Sequence, residues 1–156
     1  MKAQTCHGIN SRWIRILNIV DDDTIQPRHI TGKYYQFTQS DRAVLRGETF
    51  SACVAMASKR IAHYETGDVN TKGWNTGSGM TYIYNGDLER YDGLNKATID
   101  WFRLPGTTSV YNKKVNTGTS SQSFAGGTGD GMYGVSGMQL AAPGTNLKAK
   151  KSWFMF

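Results

Sequence analysis

The apolar residues of this 156-residue chain come in short runs, and most runs end at glycine, proline, asparagine or aspartate. The sequence contains 18 glycines and 3 prolines, and helical periodicity is weak throughout. Short apolar runs between turn-forming residues are typical of antiparallel sheets, because each strand ends where the chain reverses. We therefore predict an all-β fold of antiparallel strands.

Several segments are predicted to be strands. Residues 14–20 are rich in β-branched side chains, and residues 50–56 alternate in a way that favours one buried face. Met80–Tyr84 forms a third run, closed by the turn signal Asn85-Gly86-Asp87. A long polar excursion from residue 116 leads into a fourth run over residues 135–140. Residues 91–97 are predicted to be a loop and Pro105-Gly106 a turn.

Composition limits the classes of function. At 38% apolar and 19% charged residues, the chain has the make-up of a globular domain, and no run reaches the roughly 20 apolar residues of a membrane span. The first ten residues lack the apolar core of a secretory signal. The net charge of +6 favours polyanionic partners, acidic polysaccharides and nucleic acids alike, although the basic residues are scattered as on an ordinary solvated surface.

The two cysteines do not indicate a metal or redox site. Cys6 and Cys53 are compatible with a disulfide, but Cys53 lies in an alternating strand pattern where a buried free thiol is the ordinary interpretation. The pair Cys6-His7 lacks a second ligand pair at metal-binding spacing. We predict neither a metal nor a cofactor.

Four short motifs between residues 58 and 108 are more specific than this general β pattern. Three of them combine aromatic or polar side chains with glycine, and the first is an aromatic–acidic pair. In chain order they are Tyr64-Glu65, Asn70-Thr71-Lys72-Gly73-Trp74, Gly77-Ser78-Gly79-Met80 and Trp101-Phe102-Arg103-Leu104-Pro105-Gly106-Thr107-Thr108.

Taken in this order, the motifs resemble the central β-domain of the family 8 polysaccharide lyases, which cleave hyaluronan, chondroitin and xanthan. The resemblance is firm over residues 45–112 and fair over residues 131–156. It departs from the family pattern after Glu65, where the segment to Asn70 is shorter than usual and Asp68 replaces an expected Asn.

This resemblance implies an antiparallel β-sandwich, part of a large super-sandwich with a galactose-mutarotase-like central domain. Residues 1–156 would form a single, partial domain. In these enzymes a run like residues 149–156 is followed by more of the sandwich, so we expect the chain to be truncated; the terminal apolar run agrees, because an unpaired apolar edge strand invites aggregation. The resemblance also implies an extracellular enzyme, and with no signal present we expect the natural N-terminus to lie elsewhere.

The family chemistry is a β-elimination next to a uronic acid. One group neutralises the carboxylate, a base removes the C5 proton, and an acid protonates the departing O4. The resemblance assigns these tasks to an Asn, a His, a Tyr and an Arg in an α-helical toroid, whose motifs are not in this sequence. It assigns Glu65 to the β-domain, where it would accept hydrogen bonds from the catalytic Tyr and Arg. The other interpretation of Glu65 is a solvated carboxylate in a polar turn.

Other residues are candidates for substrate binding. Trp faces stack on sugar rings, and Asn and Arg donate directional hydrogen bonds. Trp74 and Trp101 fit core or rim packing equally well, and Arg103 could instead pair with Asp100. The candidates are Asn70, Trp74, Trp101 and Arg103.

Neighbouring residues receive structural interpretations. Gly73, Gly77, Gly79 and Gly106 are predicted to serve backbone geometry. His63 adjoins the Tyr64-Glu65 motif, but the family's catalytic His is not at this position. We therefore expect a hydrogen-bonded histidine at a strand end.

Two further classes of function compete with the lyase hypothesis. The first is a stand-alone carbohydrate-binding β-sandwich without catalysis, in which Trp74 or Trp101 is the stacking surface. The second is a basic nucleic-acid binder, against which the sequence argues because it has no recognised reader motif. The expected partners are therefore an acidic polysaccharide, the missing toroid and the remaining β-domain, with neither nucleic acid nor a membrane.

Overall fold

The computed structural model describes residues 13–26, 32–66, 71–87 and 95–156. The chain divides into two compact units, Met1–Ile30 and Thr31–Phe156. Among the described residues, no helix combines the length and apolar character needed to cross a membrane.

The described part of the first unit contains helix α1, Ile14–Asp21. The prediction of a strand over residues 14–20 is therefore wrong. β-branched composition is a weak guide, because Ile16, Ile19 and Val20 also follow the i, i+3, i+4 spacing of a helix face. The helix ends at a turn in which the backbone N–H of Thr24 donates to Asp22 Oδ1 at 2.9 Å. The hydroxyl of Thr24 donates to the same oxygen. The hydroxyl bond is the larger cause of a lowered pKa of Asp22, and the backbone bond is the smaller one.

The second unit contains two antiparallel sheets. The first is a meander in the order β1-β2-β3-β4, and the second has the order β5-β6-β7. This confirms the all-β antiparallel prediction. The strands are β1 Lys33–Phe37, β2 Arg42–Arg46, β3 Ser51–Ala55, β4 Met80–Tyr84, β5 Ala125–Gly129, β6 Gly134–Ala141 and β7 Lys148–Met155.

The strands predicted at residues 50–56, Met80–Tyr84 and 135–140 are present as β3, β4 and β6. The expected alternation along β3 is not clean, because Val54 and Ala55 are both buried while Cys53 is half-buried. Cys53 carries a free thiol, and burial raises its pKa. Cys6 lies outside the described residues. Of the predicted loop at residues 91–97, the described portion belongs to a 3-10 turn, Asn95–Thr98.

Strand β5 lies within the glycine-rich stretch predicted to be an excursion. Glycine is required here because the ring of Tyr34 packs directly on this sheet. A Cβ atom added at Gly129 would lie 2.5 Å from Cδ1 of Tyr34. The Tyr34 hydroxyl shares a hydrogen bond with Ser136 Oγ at 2.7 Å, so the contact between the sheets includes a buried polar link.

The core fills the space between the two sheets. In β2 and β6 alternate residues are buried, because successive side chains of a strand point to opposite faces. One face of each sheet therefore contributes side chains to the core. Its principal members are Tyr34, Ala43, Leu45, Val54, Met56, Val115, Ala125, Met138, Leu140, Ala142 and Met155.

An ion pair with a buried carboxylate joins three parts of this unit. Asp41, fully buried in the β1–β2 turn, accepts hydrogen bonds from Ser58 Oγ at 2.6 Å and from Arg60 Nε at 3.0 Å. Arg60 Nη2 also donates to the carbonyl of Ala125 at 2.6 Å. The segment that leaves β3 is thereby attached to both sheets, five residues before Glu65.

Candidate functional site

Glu65 lies at the surface, on the segment that continues from this ion pair. The backbone before it is fixed by a bridge between Ala62 and Thr119 and by the His63 N–H, which donates to the Gly118 carbonyl at 3.3 Å. The Glu65 side chain is exposed. Asn70 lies outside the described residues, so its predicted role stays a prediction.

His63, two residues earlier, points into the protein and is only 2% exposed. Neither of its ring nitrogens has a hydrogen bond of good geometry among the described residues. Burial lowers the pKa of His63, because the charged imidazolium loses its hydration, although the Gly118 backbone has a smaller effect that raises this pKa. His63 is therefore a neutral, packed residue and not a solvent-facing base beside Glu65. The expectation of a hydrogen-bonded histidine stays a prediction.

The Gly77-Ser78-Gly79-Met80 motif packs against this histidine. It forms a 3-10 turn, Thr76–Ser78, and the hydroxyl of Thr76 donates to the His63 carbonyl at 3.4 Å. A Cβ atom at Gly77 would lie 2.8 Å from the Cα of His63, so glycine permits the close approach. Gly79 has φ +96, a left-handed conformation that favours glycine. This supports the backbone role predicted for both glycines.

The Leu104-Pro105-Gly106-Thr107 sequence forms the predicted turn. The Thr107 N–H donates to the Leu104 carbonyl at 3.1 Å, and Gly106 has φ +75. Proline followed by a left-handed glycine is the signature of a type II turn. The turn contacts β4, because the Thr81 N–H donates to the Pro105 carbonyl at 2.9 Å.

Lys151 on β7 links these two glycine motifs. Its Nζ donates to the carbonyls of Ser78 at 2.9 Å and Gly106 at 2.5 Å, and lies 5.2 Å from the ring centroid of Trp153. Burial lowers the pKa of Lys151 to about 8. Sequence reasoning counted this lysine only among scattered surface charges, since its partners are distant in sequence.

Trp74 is half-buried and already in contact with two side chains. Its ring stacks on that of Phe102 at 5.2 Å between centroids, and Lys114 Nζ lies 4.3 Å from its ring centroid. A sugar that stacked on Trp74 would have to displace one of them. Phe102 and Lys114 were not singled out by sequence reasoning.

Trp101 is half-buried as well, and it packs against a small second core of Ala55, Met80 and Leu104. Its carbonyl accepts a hydrogen bond from Asn75 Nδ2 at 3.3 Å. These contacts support the rim-packing interpretation of Trp101, while part of its ring stays accessible.

Arg103 is exposed and contacts two neighbours. Its Nε lies 3.6 Å from Asp100 Oδ2, which confirms the pairing considered from the sequence. Its Cζ lies 4.7 Å from the ring centroid of Tyr111, a second contact that the motifs did not indicate. Trp74 thus contacts Phe102, whose neighbours in the sequence are Trp101 and Arg103. These contacts bring three of the predicted substrate-binding residues, Trp74, Trp101 and Arg103, into one region.

The chemistry available to the described residues is limited. No three His, Cys, Asp or Glu side chains within those ranges come together in a way that could hold a metal ion. The site offers an exposed carboxylate, two half-buried indoles and a group of exposed cations. These groups can orient and bind a polar ligand.

Comparison with known proteins matches residues 33–156 to the model of polysaccharide lyase family 8, super-sandwich domain. The chain belongs to polysaccharide lyase family 8. It is 44% identical over 140 residues to the xanthan lyase of Bacillus sp. (strain GL1). The aligned region covers 88% of this chain and 15% of that enzyme. It is 38% identical over 144 residues to the hyaluronate lyase of Thermasporomyces composti, covering 87% of this chain and 18% of that enzyme.

Solved structures give the same family assignment. The xanthan lyase of Paenibacillus superposes with a TM-score of 0.77 at 46% identity, over 92% of this chain and 14% of that one. The chondroitin AC lyase of Streptomyces coelicolor A3, solved with chondroitin sulphate, gives a TM-score of 0.76 at 35% identity over 92% of this chain and 21% of its own. The chain spans about a fifth or less of each of these four relatives.

Proposed function

We propose that this chain is part of a secreted polysaccharide lyase that cleaves uronic-acid-containing glycans by β-elimination. Membership of family 8 supports this, as do relatives named xanthan, hyaluronate and chondroitin AC lyases. The chain would contribute Glu65 and one wall of the substrate cleft. The acid and base of the reaction would come from the helical toroid, so the chain alone would be inactive.

The observation that carries this proposal is the exposed carboxylate of Glu65 on a firmly attached segment. The ion pair of buried Asp41 with Arg60 holds the segment at one end, and the Ala62–Thr119 bridge holds it next to Glu65. None of the ion pairs between described residues involves Glu65. Its oxygens are therefore open to the Tyr and Arg of a neighbouring domain, where charge-assisted hydrogen bonds would hold the acid/base group in its working orientation.

The partners follow from the same chemistry. An acidic polysaccharide would be attracted by the net charge of +6, and the toroid and remaining β-domain would complete the cleft. Asn70, Trp74, Trp101 and Arg103 would form part of the cleft wall. Because Phe102 and Lys114 already contact the ring of Trp74, this residue would support the cleft wall and not stack on the sugar.

The test grafts residues 33–156 into the xanthan lyase of Bacillus sp. (strain GL1) in place of the matching segment. Elimination leaves a 4,5-unsaturated uronate, so turnover is followed by ultraviolet absorbance. We expect Glu65→Gln to lower kcat roughly 100-fold, the scale of a mispositioned acid/base group. Glu48→Gln is the matched control, because Glu48 is equally exposed but lies in the β2–β3 turn. Equal activity of the two variants would contradict the role of Glu65.

A second candidate function is a non-catalytic carbohydrate-binding module. The observation that favours it is that this chain presents two cation–aromatic pairs, Arg103 with Tyr111 and Lys114 with Trp74. The resemblance, by contrast, would place the acid and base of elimination in another domain. The two functions separate when the chain alone is mixed with hyaluronan, chondroitin sulfate or xanthan. A binder is retained on the glycan without change in absorbance, and sustained product formation by the isolated chain would contradict both proposals.

A further inference from the structure

We propose that the turn at residues 110–114 and Arg103 form a recognition site for one anionic sugar, in which Tyr111 supplies the stacking face and Lys114 and Arg103 bind the carboxylate or sulfate group. This inference rests on the proposed function, since it takes the ligand to be an acidic oligosaccharide. The residues Tyr111 and Lys114 are not among the predicted site residues. We call this set, Arg103, Tyr111 and Lys114, the cation–aromatic patch.

The backbone of the turn determines the shape of the patch. The Lys113 N–H donates to the Val110 carbonyl at 3.1 Å, and Asn112 has φ +54, an uncommon conformation for a residue with a side chain. The two ends of the turn contact two neighbouring segments, which themselves meet where Trp74 stacks on Phe102. Tyr111 meets Arg103 at one end, and Lys114 lies over Trp74 at the other. Such a local strain is retained only where the surroundings hold it.

The Arg103 guanidinium keeps its hydrogen-bonding capacity in this arrangement. Cation–π contact with Tyr111 uses the face of the guanidinium group and leaves its N–H donors free in the plane. The Asp100 carboxylate is 3.6 Å from Nε, too long for a hydrogen bond. Both Nη groups can therefore bind a carboxylate or sulfate in a bidentate manner.

Exposure decides which aromatic ring is available to a ligand. Tyr111 is 62% exposed, whereas Trp74 is half-buried between its contacts with Phe102 and Lys114. Tyr111 also carries a cation, Arg103, over its ring, but its larger exposure makes it the more accessible stacking surface, while Lys114 lies over the ring of Trp74. A sugar on Tyr111 would have an acidic substituent within reach of Arg103, which lies against the same ring.

The number of accessible rings argues for a sugar over nucleic acid. Single-stranded nucleic acid is bound by several exposed aromatic rings along a basic groove. Here Trp74 and Phe102 stack on each other and Trp101 packs against the second core, so within the described 101–114 region and its contacts Tyr111 is the one ring that is mostly exposed. One aromatic face with two cations matches one ring of a uronic-acid-containing glycan.

The test measures binding of a hyaluronan hexasaccharide to the whole 156-residue chain by calorimetry. We expect Tyr111→Ala and Lys114→Met each to weaken the affinity roughly five-fold, the loss typical of one exposed stacking or charge contact. The matched controls are Tyr133→Ala and Lys148→Met, an exposed tyrosine and an exposed lysine elsewhere in the chain, which should change the affinity less than two-fold. Unchanged circular dichroism establishes that all four variants fold.

Three results would overturn the inference. The first is no binding of the hexasaccharide by the unmodified chain, and the second is an equal loss in Lys148→Met and Lys114→Met, which would indicate diffuse charge attraction. The third is equal affinity for the hexasaccharide with its carboxyl groups reduced, or for an oligothymidylate. None depends on Glu65. In the grafted lyase, moreover, Tyr111→Ala should raise KM and Glu65→Gln should lower kcat, so either proposal can fail without the other.

Discussion

The ammonium group of Lys151 lies 2.9 Å from the carbonyl oxygen of Ser78, a residue 73 positions earlier in the chain. With its second bond, to Gly106, the lysine attaches strand β7 to both glycine motifs next to the candidate site. A single side chain of β7 therefore contacts both of the loops that lie beside Trp74, Trp101 and Arg103.

Replacing Lys151 by Met should destabilise the fold by about 2 kcal/mol, because two backbone carbonyls lose a charged donor. The measurement is the midpoint of urea unfolding. Lys150→Met is the matched control, since Lys150 is the exposed neighbour on the same strand and its removal should change stability by less than about 0.5 kcal/mol. Equal effects would show that the two carbonyl contacts do not contribute to stability.

Because the pKa of Lys151 is lowered, the effect of Lys151→Met on stability should depend on pH. The folded-state pKa is about 8 and the ordinary value is 10.5, so between these pH values the unfolded chain binds more protons at this site. Stability contributed by this group therefore rises with pH from about 8 to 10.5 and is constant below 8. We expect the stability difference between the unmodified chain and Lys151→Met to increase across that window. A constant difference would contradict the lowered pKa.

The stability of the fold should also depend on the buried carboxylate of Asp41, which pairs with Arg60. Asp41→Asn should cost about 2 kcal/mol, less than the roughly 3–5 kcal/mol of fully buried pairs because 39% of the Arg60 side chain is exposed. Thermal unfolding measures the loss. Asp100→Asn, which breaks the exposed pair with Arg103, is the control and should have little effect. Comparable losses in the two variants would show that burial does not distinguish the pairs.

His63 should make the fold sensitive to mild acid. Burial holds its pKa below 6.5 in the folded state, so the unfolded chain takes up the proton first as the pH falls. Stability from this residue is fully present above pH 6.5 and decreases below it. His63→Leu should therefore lose less stability than the unmodified chain between pH 7 and pH 5, as measured by denaturant unfolding. His7 and His29 are common to both proteins and cancel in the comparison.

The features that the sequence predicted correctly depend on neighbouring residues. The sequence pattern of residues 50–56 located β3, although its burial does not alternate as expected, and turn residues closed β4. Pro105-Gly106 specified a turn, in which Gly106 has the left-handed φ that a glycine at this position allows. The order of the motifs was sufficient to identify the family. Turn geometry and strand periodicity are local properties, so they are readable without knowledge of the packing.

Contacts between distant segments decided the rest. Gly127 and Gly129 of β5 are needed because Tyr34 packs on them from the other sheet. The wrong strand prediction at residues 14–20 is a different case, because its β-branched composition and its helical spacing are both local signals and they disagree. The sequence could place His63 beside Glu65 but not show that one is buried and the other exposed. The sequence also could not show that Lys114 lies over Trp74. The burial and the partners of a side chain depend on which strands pair, and strand pairing is decided only when the whole core packs.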